Sequence, residues 1–227
     1  MARGGPNNAR SRRIALLIAA ACAVVAIPAL VILFSVSHRE ASPWFGNYDS
    51  EARPAHDFSL TNQDGKPVRL ADMRGHAVLL SFGFTRCPNI CPTTLGNLAA
   101  VFRKLPPAAQ EKVDVVFISV DERDSPETLK EYVPFFNDHF TGLTGNPADI
   151  GSTARAYGAF FRKAPAVGED KDDYMIDHST YTYLIDPEGN MRLLYRFDQL
   201  PETACIADDI QRLLGLPVTA PPPPVAQ

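Results

Sequence analysis

Cys87 and Cys91 stand four residues apart in FTRCPNICPTT, between an apolar run and a helical pattern. On a helical turn, four residues amount to about 400° of rotation, so both sulfurs face one side. A helix N-terminus offers unpaired N–H groups and partial positive charge, which favour thiolate over thiol. Arg86 adds a cation next door, and Pro88 and Pro92 restrict the backbone around both cysteines. Two thiolates this close have three fates: a structural disulfide, a redox disulfide or a soft-metal site. The first is natural outside the cytoplasm, but closing so short a loop removes little unfolded-state entropy. The second is more often spaced C-x-x-C, one residue tighter than here.

The third fate needs another donor, and His178 in YMIDHSTYTYLID is the candidate, 87 residues after Cys91. Two soft thiolates and one imidazole form a trigonal set suited to Cu(I) and tolerable for Cu(II). Zinc would accept the same set, usually with a fourth ligand. Asp177 is placed to orient the imidazole as an acceptor, or else it faces solvent. The plain alternative for His178 is a core or surface histidine. His38, His56, His76 and His139 lack such neighbours and read as surface or loop residues, and Cys205 reads as a half-buried lone thiol.

The elements that must position these groups follow from hydrophobic spacing. DFSLTNQDGKPVRL reads as a hairpin turning at Asp64-Gly65. Ala77–Phe84 (AVLLSFGF) and Val113–Val120 (VDVVFISV) read as strands buried on both faces. Between them, from about Thr93, Leu95, Leu98, Ala99 and Phe102 share one helical face. Strand, helix, strand implies parallel pairing through a right-handed crossover. The carboxyl end of a parallel strand is where α/β sheets usually place function, and the cysteines sit there. Ser125-Pro126 opens a helix with Leu129, Tyr132, Val133 and Phe136 inward, and Asn146-Pro147 opens another through Ile150, Ala154 and Tyr157. Thr180–Ile185 and Met191–Phe197 are strands joined by the turn Asp186–Asn190, and a last helix from Pro201 carries Ile206, Ile210, Leu213 and Leu214 inward. The pattern predicts an α/β, thioredoxin-like three-layer sandwich preceded by a transmembrane helix.

Ile14–Val36 is a run of 23 residues without a charge. As a helix it is ~35 Å long, enough to cross a ~30 Å hydrocarbon core. A cleaved signal peptide usually has a shorter apolar region of ~7–15 residues, so an uncleaved anchor is expected. Arg3, Arg10, Arg12 and Arg13 precede it, which places the N-terminus in the cytoplasm and the body outside, as in a single-pass protein of a bacterial inner membrane with its soluble domain in the periplasm. Cys22 follows three alanines but apolar chain continues past it, so it reads as a membrane-buried small residue. The expected organisation is a basic N-terminus over 1–13, an anchor over 14–36, a linker over 37–55, the folded domain over 56–216 and a proline-rich tail over 217–227.

The whole chain holds 22 basic and 26 acidic residues for a net charge of −4, with the four early arginines offsetting part of an acidic body. Such a body excludes a nucleic-acid binder, which needs a basic face over phosphates. Four cysteines in 227 residues exclude a disulfide scaffold, and the lack of a sequence-long repeat excludes solenoids and propellers.

GFTRCPNICPTTL, SVDERDSPETLKEY and YMIDHSTYTYLIDPEGN together resemble the SCO/SenC family of membrane-tethered, copper-binding, thioredoxin-fold proteins, from about Asp57 to Leu214. The resemblance implies copper ligands at Cys87, Cys91 and His178. It also implies delivery of copper to the dinuclear CuA centre of cytochrome c oxidase, or reduction of that centre's cysteines before loading. The implied partners are the oxidase copper-centre subunit and another periplasmic copper carrier or thiol reductase. Two departures stand out. Arg86 occupies a position where many relatives have histidine. The acidic segment reads VDERD rather than VDPERD, which bears on Asp121 and Asp124, placed by the family near the copper site. The alternative for both acids is a solvated loop that caps the helix at Ser125. Two functions stay open: a metallochaperone using all three residues, and a thiol–disulfide oxidoreductase using only the cysteine pair. A peroxidase would want Thr three residues before its reactive Cys, and that position is Phe84.

Overall fold

The computed structural model describes residues 42–165 and 174–218, with part of a helix between 14 and 30. The chain divides into two units, Met1–Ser42 and Pro43–Gln227. In the first, the described residues between 14 and 30 are helical, and Leu16, Leu17, Val24, Val25, Ile27 and Leu30 are exposed. Among the described residues no helix is long and apolar enough to cross a membrane. The expected basic segment 1–13, the end of the apolar run over 31–36 and the tail from 219 onward lie outside the described residues.

In the second unit an eight-stranded mixed sheet forms around β4 (Ala77–Gly83), every residue of which is buried. β4 pairs in parallel with β5 (Val113–Ser119) and antiparallel with β9 (Thr182–Ile185). Strands enclosed on both edges and both faces need apolar side chains throughout, which is why these runs show no polar alternation. The helix α1 (Ile90–Lys104) links β4 to β5, and Leu95, Leu98, Ala99 and Phe102 face the core as their spacing predicts. It begins three residues before the expected Thr93. The expected turn joins β9 to β10 (Met191–Tyr195): Asp186 Oδ1 accepts the Asn190 N–H at 2.7 Å. A short helix α2 (Pro107–Gln110) follows α1, α4 (Pro147–Ala156) opens at Asn146-Pro147 as expected, and the closing helix α5 (Thr203–Leu213) packs against α1 and starts two residues after Pro201. The opening hairpin is β2 (Ser59–Asn62) with β3 (Pro67–Arg69). The α/β, thioredoxin-like expectation for the body is met.

Three elements differ from the sequence reading. β6 (Phe140–Thr144) is a third parallel strand, alongside β5. Its sequence FTGLT is too short and too interrupted to announce a strand. Gly142 within it is required by packing: a Cβ there would sit 2.7 Å from Val133 Cγ2 and 3.2 Å from Leu129 Cβ. The helix α3 (Pro126–Tyr132) and the turn after it therefore lie directly on β6, with Ser125 Oγ accepting the Thr128 N–H as the expected cap. Second, the linker expected over 37–55 is folded in its latter half. β1 (Asn47–Tyr48) pairs with β10 at the sheet edge, Phe45 is buried, and Trp44 stacks on Tyr48 at 4.9 Å between ring centroids. Three aromatic residues in five positions bring enough apolar area to hold this segment on the sheet. Third, β7 (Phe161–Lys163) and β8 (Ile176–His178) form a separate antiparallel pair that the sequence pattern did not announce, and His178 ends its second strand.

Candidate metal centre

β4 ends at Gly83, and the chain turns through Phe84–Cys87, closed by the Cys87 N–H donating to the Phe84 carbonyl at 3.3 Å. Cys87 thus precedes the helix rather than sharing a helical turn with Cys91, which corrects the rotation argument. The sulfurs still meet, for a different reason. Asn89 is the N-cap residue of α1, yet its side chain accepts no backbone N–H of the first turn. Cys87 Sγ takes that place, accepting the Cys91 N–H at 3.4 Å. A sulfur capping a helix start is stabilised as an anion by the orphan amides and the helix dipole.

The ring of His178 completes the group. Sγ of Cys87, Sγ of Cys91 and one ring nitrogen of His178 all lie within 4.8 Å of one another. Nε2 is 3.5 Å from Cys91 Sγ. Nδ1 is 2.8 Å from the Ser179 carbonyl oxygen, which only accepts, so Nδ1 carries the proton. The neutral ring therefore presents a bare Nε2 to the sulfurs, the tautomer a metal ligand needs. Phe84 meets the ring edge-on at 5.7 Å between centroids and helps fix its plane. Asp177 does not orient the imidazole. Its neighbours on the strand alternate in and out, and its carboxylate pairs with Arg162 at 3.1 Å in solvent.

Proximity splits the two thiols. Cys87 is pulled down to about 4, first by the hydrogen bond from the Cys91 thiol and then, against the cost of burial, by His178 and the backbone amides of Cys91 and Asn89. Cys91 is pushed far up, first by its hydrogen bond to the Cys87 sulfur and then by burial. For His178, burial works against the imidazolium, but the Cys87 sulfur and the Ser179 carbonyl outweigh it and raise the ring. The resting pair therefore divides into one thiolate, Cys87, and one thiol, Cys91, beside the His178 ring.

The cysteine loop is held from below. Asp124 accepts from the Thr85 N–H at 2.8 Å, from Thr85 Oγ1 at 2.6 Å and from Ser119 Oγ at 2.6 Å. Asp121 is as deeply enclosed and pairs with Arg123. The solvated-loop alternative for both acids is thereby corrected: they are 3% and 2% exposed. Their burial is tolerable because each carboxylate meets several donors. Gly83 completes the seat, since a Cβ there would sit 2.7 Å from Cys91 Sγ and 2.5 Å from the Phe117 ring. No sequence motif announced Gly83, Thr85 or Ser119 as parts of the site. Arg86 is exposed at the rim, and Cys205 is half-buried on α5. His76 pairs with Asp114 at 3.0 Å and His139 stacks on Phe102 at 5.6 Å.

The donor set suits a soft ion. Metal bonds of ~2.0–2.3 Å spread over a trigonal plane set three ligands roughly 4 Å apart, close to the spacing present. Among the described residues no fourth Cys, His, Asp or Glu joins the group, as a closed zinc site would require.

The comparisons with known proteins agree with this geometry. Residues 47–215 match the family model SCO1/SenC. An SCO2-like protein of Rickettsia prowazekii is 39% identical over 173 residues, covering 73% of this chain and 82% of its own length. The solution structure of apo Sco1 from Thermus thermophilus is 40% identical, covers 77% of this chain and 99% of its own, and superposes with a TM-score of 0.69. ScoI of Bradyrhizobium japonicum, solved with copper bound, is 35% identical, covers 70% of this chain and 99% of its own, and has a TM-score of 0.62. Matched by this family model over most of its length, and similar to these proteins in sequence and fold, the chain belongs to the SCO1/SenC family.

Proposed function

We propose that this chain carries copper on Cys87, Cys91 and His178 and passes it to the CuA centre of cytochrome c oxidase during assembly, from a domain tethered at the outer face of a bacterial inner membrane. The observation that carries the reading is the convergence of two sulfurs and a correctly protonated imidazole within 4.8 Å. Relatives solved with copper bound support the choice of ion. A structure of BsSco, 27% identical with a TM-score of 0.59, is described as a member of a family of cytochrome c oxidase assembly proteins, which supports the destination. Support for the tether comes from the arginines before the apolar run and from the exposed leucines and valines of its helix, a surface that suits lipid better than water.

A carrier must hold its cargo and give it up. Here Cys87 is already a thiolate, so it captures a soft cation without first losing a proton. Among the described residues three donors surround the position, which leaves room for an incoming thiolate of the acceptor before any of the three lets go.

The test is an anaerobic titration of the reduced full chain with Cu(I), with Cys87→Ala, Cys91→Ala and His178→Ala alongside. One equivalent should bind tightly, and each substitution should weaken binding by more than the ~10–100-fold that an orienting partner of a metal ligand is worth. A stoichiometry of one that survives all three substitutions rejects the reading. Copper transfer to an isolated CuA domain, and protection of the N-terminus from external protease in sealed vesicles, test delivery and orientation.

A second reading has its own observation, the opposite shifts of the two thiols. A low thiolate beside a high thiol is the pairing of a nucleophile and a resolving thiol. Cys87 Sγ would attack a partner disulfide and expel one partner thiolate. Cys91 would then lose its proton and attack Cys87, expelling the second, so the partner gains two electrons and the pair becomes a disulfide. A disulfide switch is reported for BsSco. His178→Ala separates the readings: it should cripple copper binding and leave disulfide exchange nearly unchanged.

A further inference from the structure

His178 belongs to an element with little to hold it in place. Among the described residues, strands β7 and β8 pair only with each other, through Phe161 with His178, Arg162 with Asp177 and Lys163 with Ile176. A two-stranded hairpin is marginally stable on its own. The cysteines, by contrast, hang from the centre of an eight-stranded sheet. The distance between ring and sulfurs therefore depends on what fastens the hairpin to the body.

Side-chain alternation shows where to look. Met175 and Asp177 face solvent, while Tyr174 and Ile176 are 9% and 6% exposed and share the inward face with His178. Ile176 packs in the core, and Tyr174 is gripped. The Arg123 guanidinium lies 3.6 Å from the centroid of the Tyr174 ring, and its Nη2 donates to the Tyr174 carbonyl at 3.0 Å. The Tyr174 hydroxyl donates to Asp121 Oδ1 at 3.2 Å. Arg123 is itself locked by the same carboxylate, with Nε 2.9 Å from Oδ1 and Nη2 2.6 Å from Oδ2. The other strand is tied less firmly to the same loop, by Lys163 to Glu122 at 3.3 Å in solvent.

We infer that Arg123 and Tyr174 are positioning residues, a clasp that sets where His178 Nε2 stands relative to the two sulfurs. Tyr174 lies four residues from His178, roughly 13 Å along an extended chain, so the clasp touches neither sulfur nor ring. Its base is Asp121, three residues before Asp124, which fastens the cysteine loop through Thr85. One short segment, Val120–Asp124, thereby holds both halves of the site and fixes the gap between them. A planar fork that stacks and hydrogen-bonds at once is a task for Arg rather than Lys. The inference rests on the copper reading for its consequence but not for its geometry, and the two are tested separately.

The experiment uses the full chain, labelled at His and Phe, with Tyr174→Leu, Tyr174→Phe and Arg123→Lys. In the metal-free protein the His178 and Phe84 rings should give a nuclear Overhauser contact, which is lost in Tyr174→Leu and weakened in Arg123→Lys. Cu(I) affinity should fall about 10–100-fold in Tyr174→Leu, toward the value of His178→Ala. Tyr174→Phe keeps the ring under the guanidinium and should restore most of both signals. Tyr174→Phe and Arg123→Lys carry the test if Tyr174→Leu does not fold. A lowered melting temperature with ring contact and affinity unchanged in the folded variants overturns the clasp. Loss of the ring contact, together with a His178→Ala chain that binds copper normally, upholds the clasp and overturns the copper reading.

Discussion

Two regions of this protein bury ionisable groups, and they do so in opposite ways. At the sheet edge, Asp209 of α5 is completely buried. Its carboxylate accepts from the Phe45 N–H at 3.0 Å, from the Gly46 N–H at 2.9 Å and from the Tyr195 hydroxyl at 3.0 Å. Every contact is short, and every partner is a donor facing an acceptor. At the end of β4, Cys87 and Cys91 are nearly as buried, but their sulfurs and a ring nitrogen of His178 gather within 4.8 Å of one another around a common centre, with Nε2 3.5 Å from Cys91 Sγ. Once the Cys91 thiol gives up its proton, all three atoms are acceptors that point at one another. A closed network holds a structure together, whereas convergent acceptors without a central donor form a place for a cation.

The first way to break that contrast is to empty each region. Asp209→Ala strands two amides and a hydroxyl in a dry interior. It should cost about 3 kcal/mol or more, lowering the melting temperature by roughly 6–12 °C. Copper bound per folded molecule should stay the same. Cys91→Ala should do the reverse, with a binding loss beyond a hundredfold and a stability change of about 1 kcal/mol or less. Equal stability losses in a calorimetric comparison would erase the distinction.

Gly83→Ala probes the boundary between packing and site. The added methyl must displace the Phe117 ring or Cys91 Sγ, so stability should drop by about 1–3 kcal/mol and copper affinity should drop with it. A variant that melts earlier yet binds copper as before would show that the sulfur's seat is not set by this contact.

The smallest expected effect is in pH dependence, and it separates two buried acids by sign. Asp209 is raised, because burial outweighs the amides of Phe45 and Gly46 and the Tyr195 hydroxyl. Its native form binds a proton more tightly than the unfolded chain does. The stability it contributes is complete below the ordinary ~3.9 and drains as pH rises through its native value. For Asp121, burial pushes upward but Arg123 and the backbone pull it lower overall. Its contribution is complete above ~3.9 and is lost as pH falls through its native value. Urea unfolding of wild type, Asp209→Asn and Asp121→Asn between pH 3 and 7 should give difference curves of opposite slope. Parallel curves would refute the assignment.

Much of this architecture was legible beforehand because it rests on spacing. The unbroken apolar runs of β4 and β5, the helical face from Leu95 to Phe102 and the Asp186–Asn190 turn all follow from local chemistry. β6 was hidden because a strand covered by a helix can be built from small residues such as Gly142, which leave no apolar signature. The folded part of 37–55 was hidden because its partners, β10 and Asp209, lie far along the chain. In the site, residue type and spacing singled out Cys87, Cys91 and His178. The Ser179 carbonyl could not be seen, since every residue has one, and Asp177 was the more conspicuous neighbour. The alternation Tyr174, Ile176, His178 was a readable signal for the clasp.

The sequence by itself determined which atoms were able to meet a soft ion, because sulfur and imidazole chemistry belongs to side chains and travels with them. It also determined the strands and helices that carry them, because local apolar periodicity leaves few alternatives. Tertiary structure alone decided that the ring arrives with Nε2 bare, that Cys87 rather than Cys91 holds the negative charge, and that buried Asp121 and Asp124 tie the two halves together. Each of these depends on a short polar contact whose partners can be far apart in the chain. Hydrogen bonds act over about 3 Å, and only folding brings such groups within that reach.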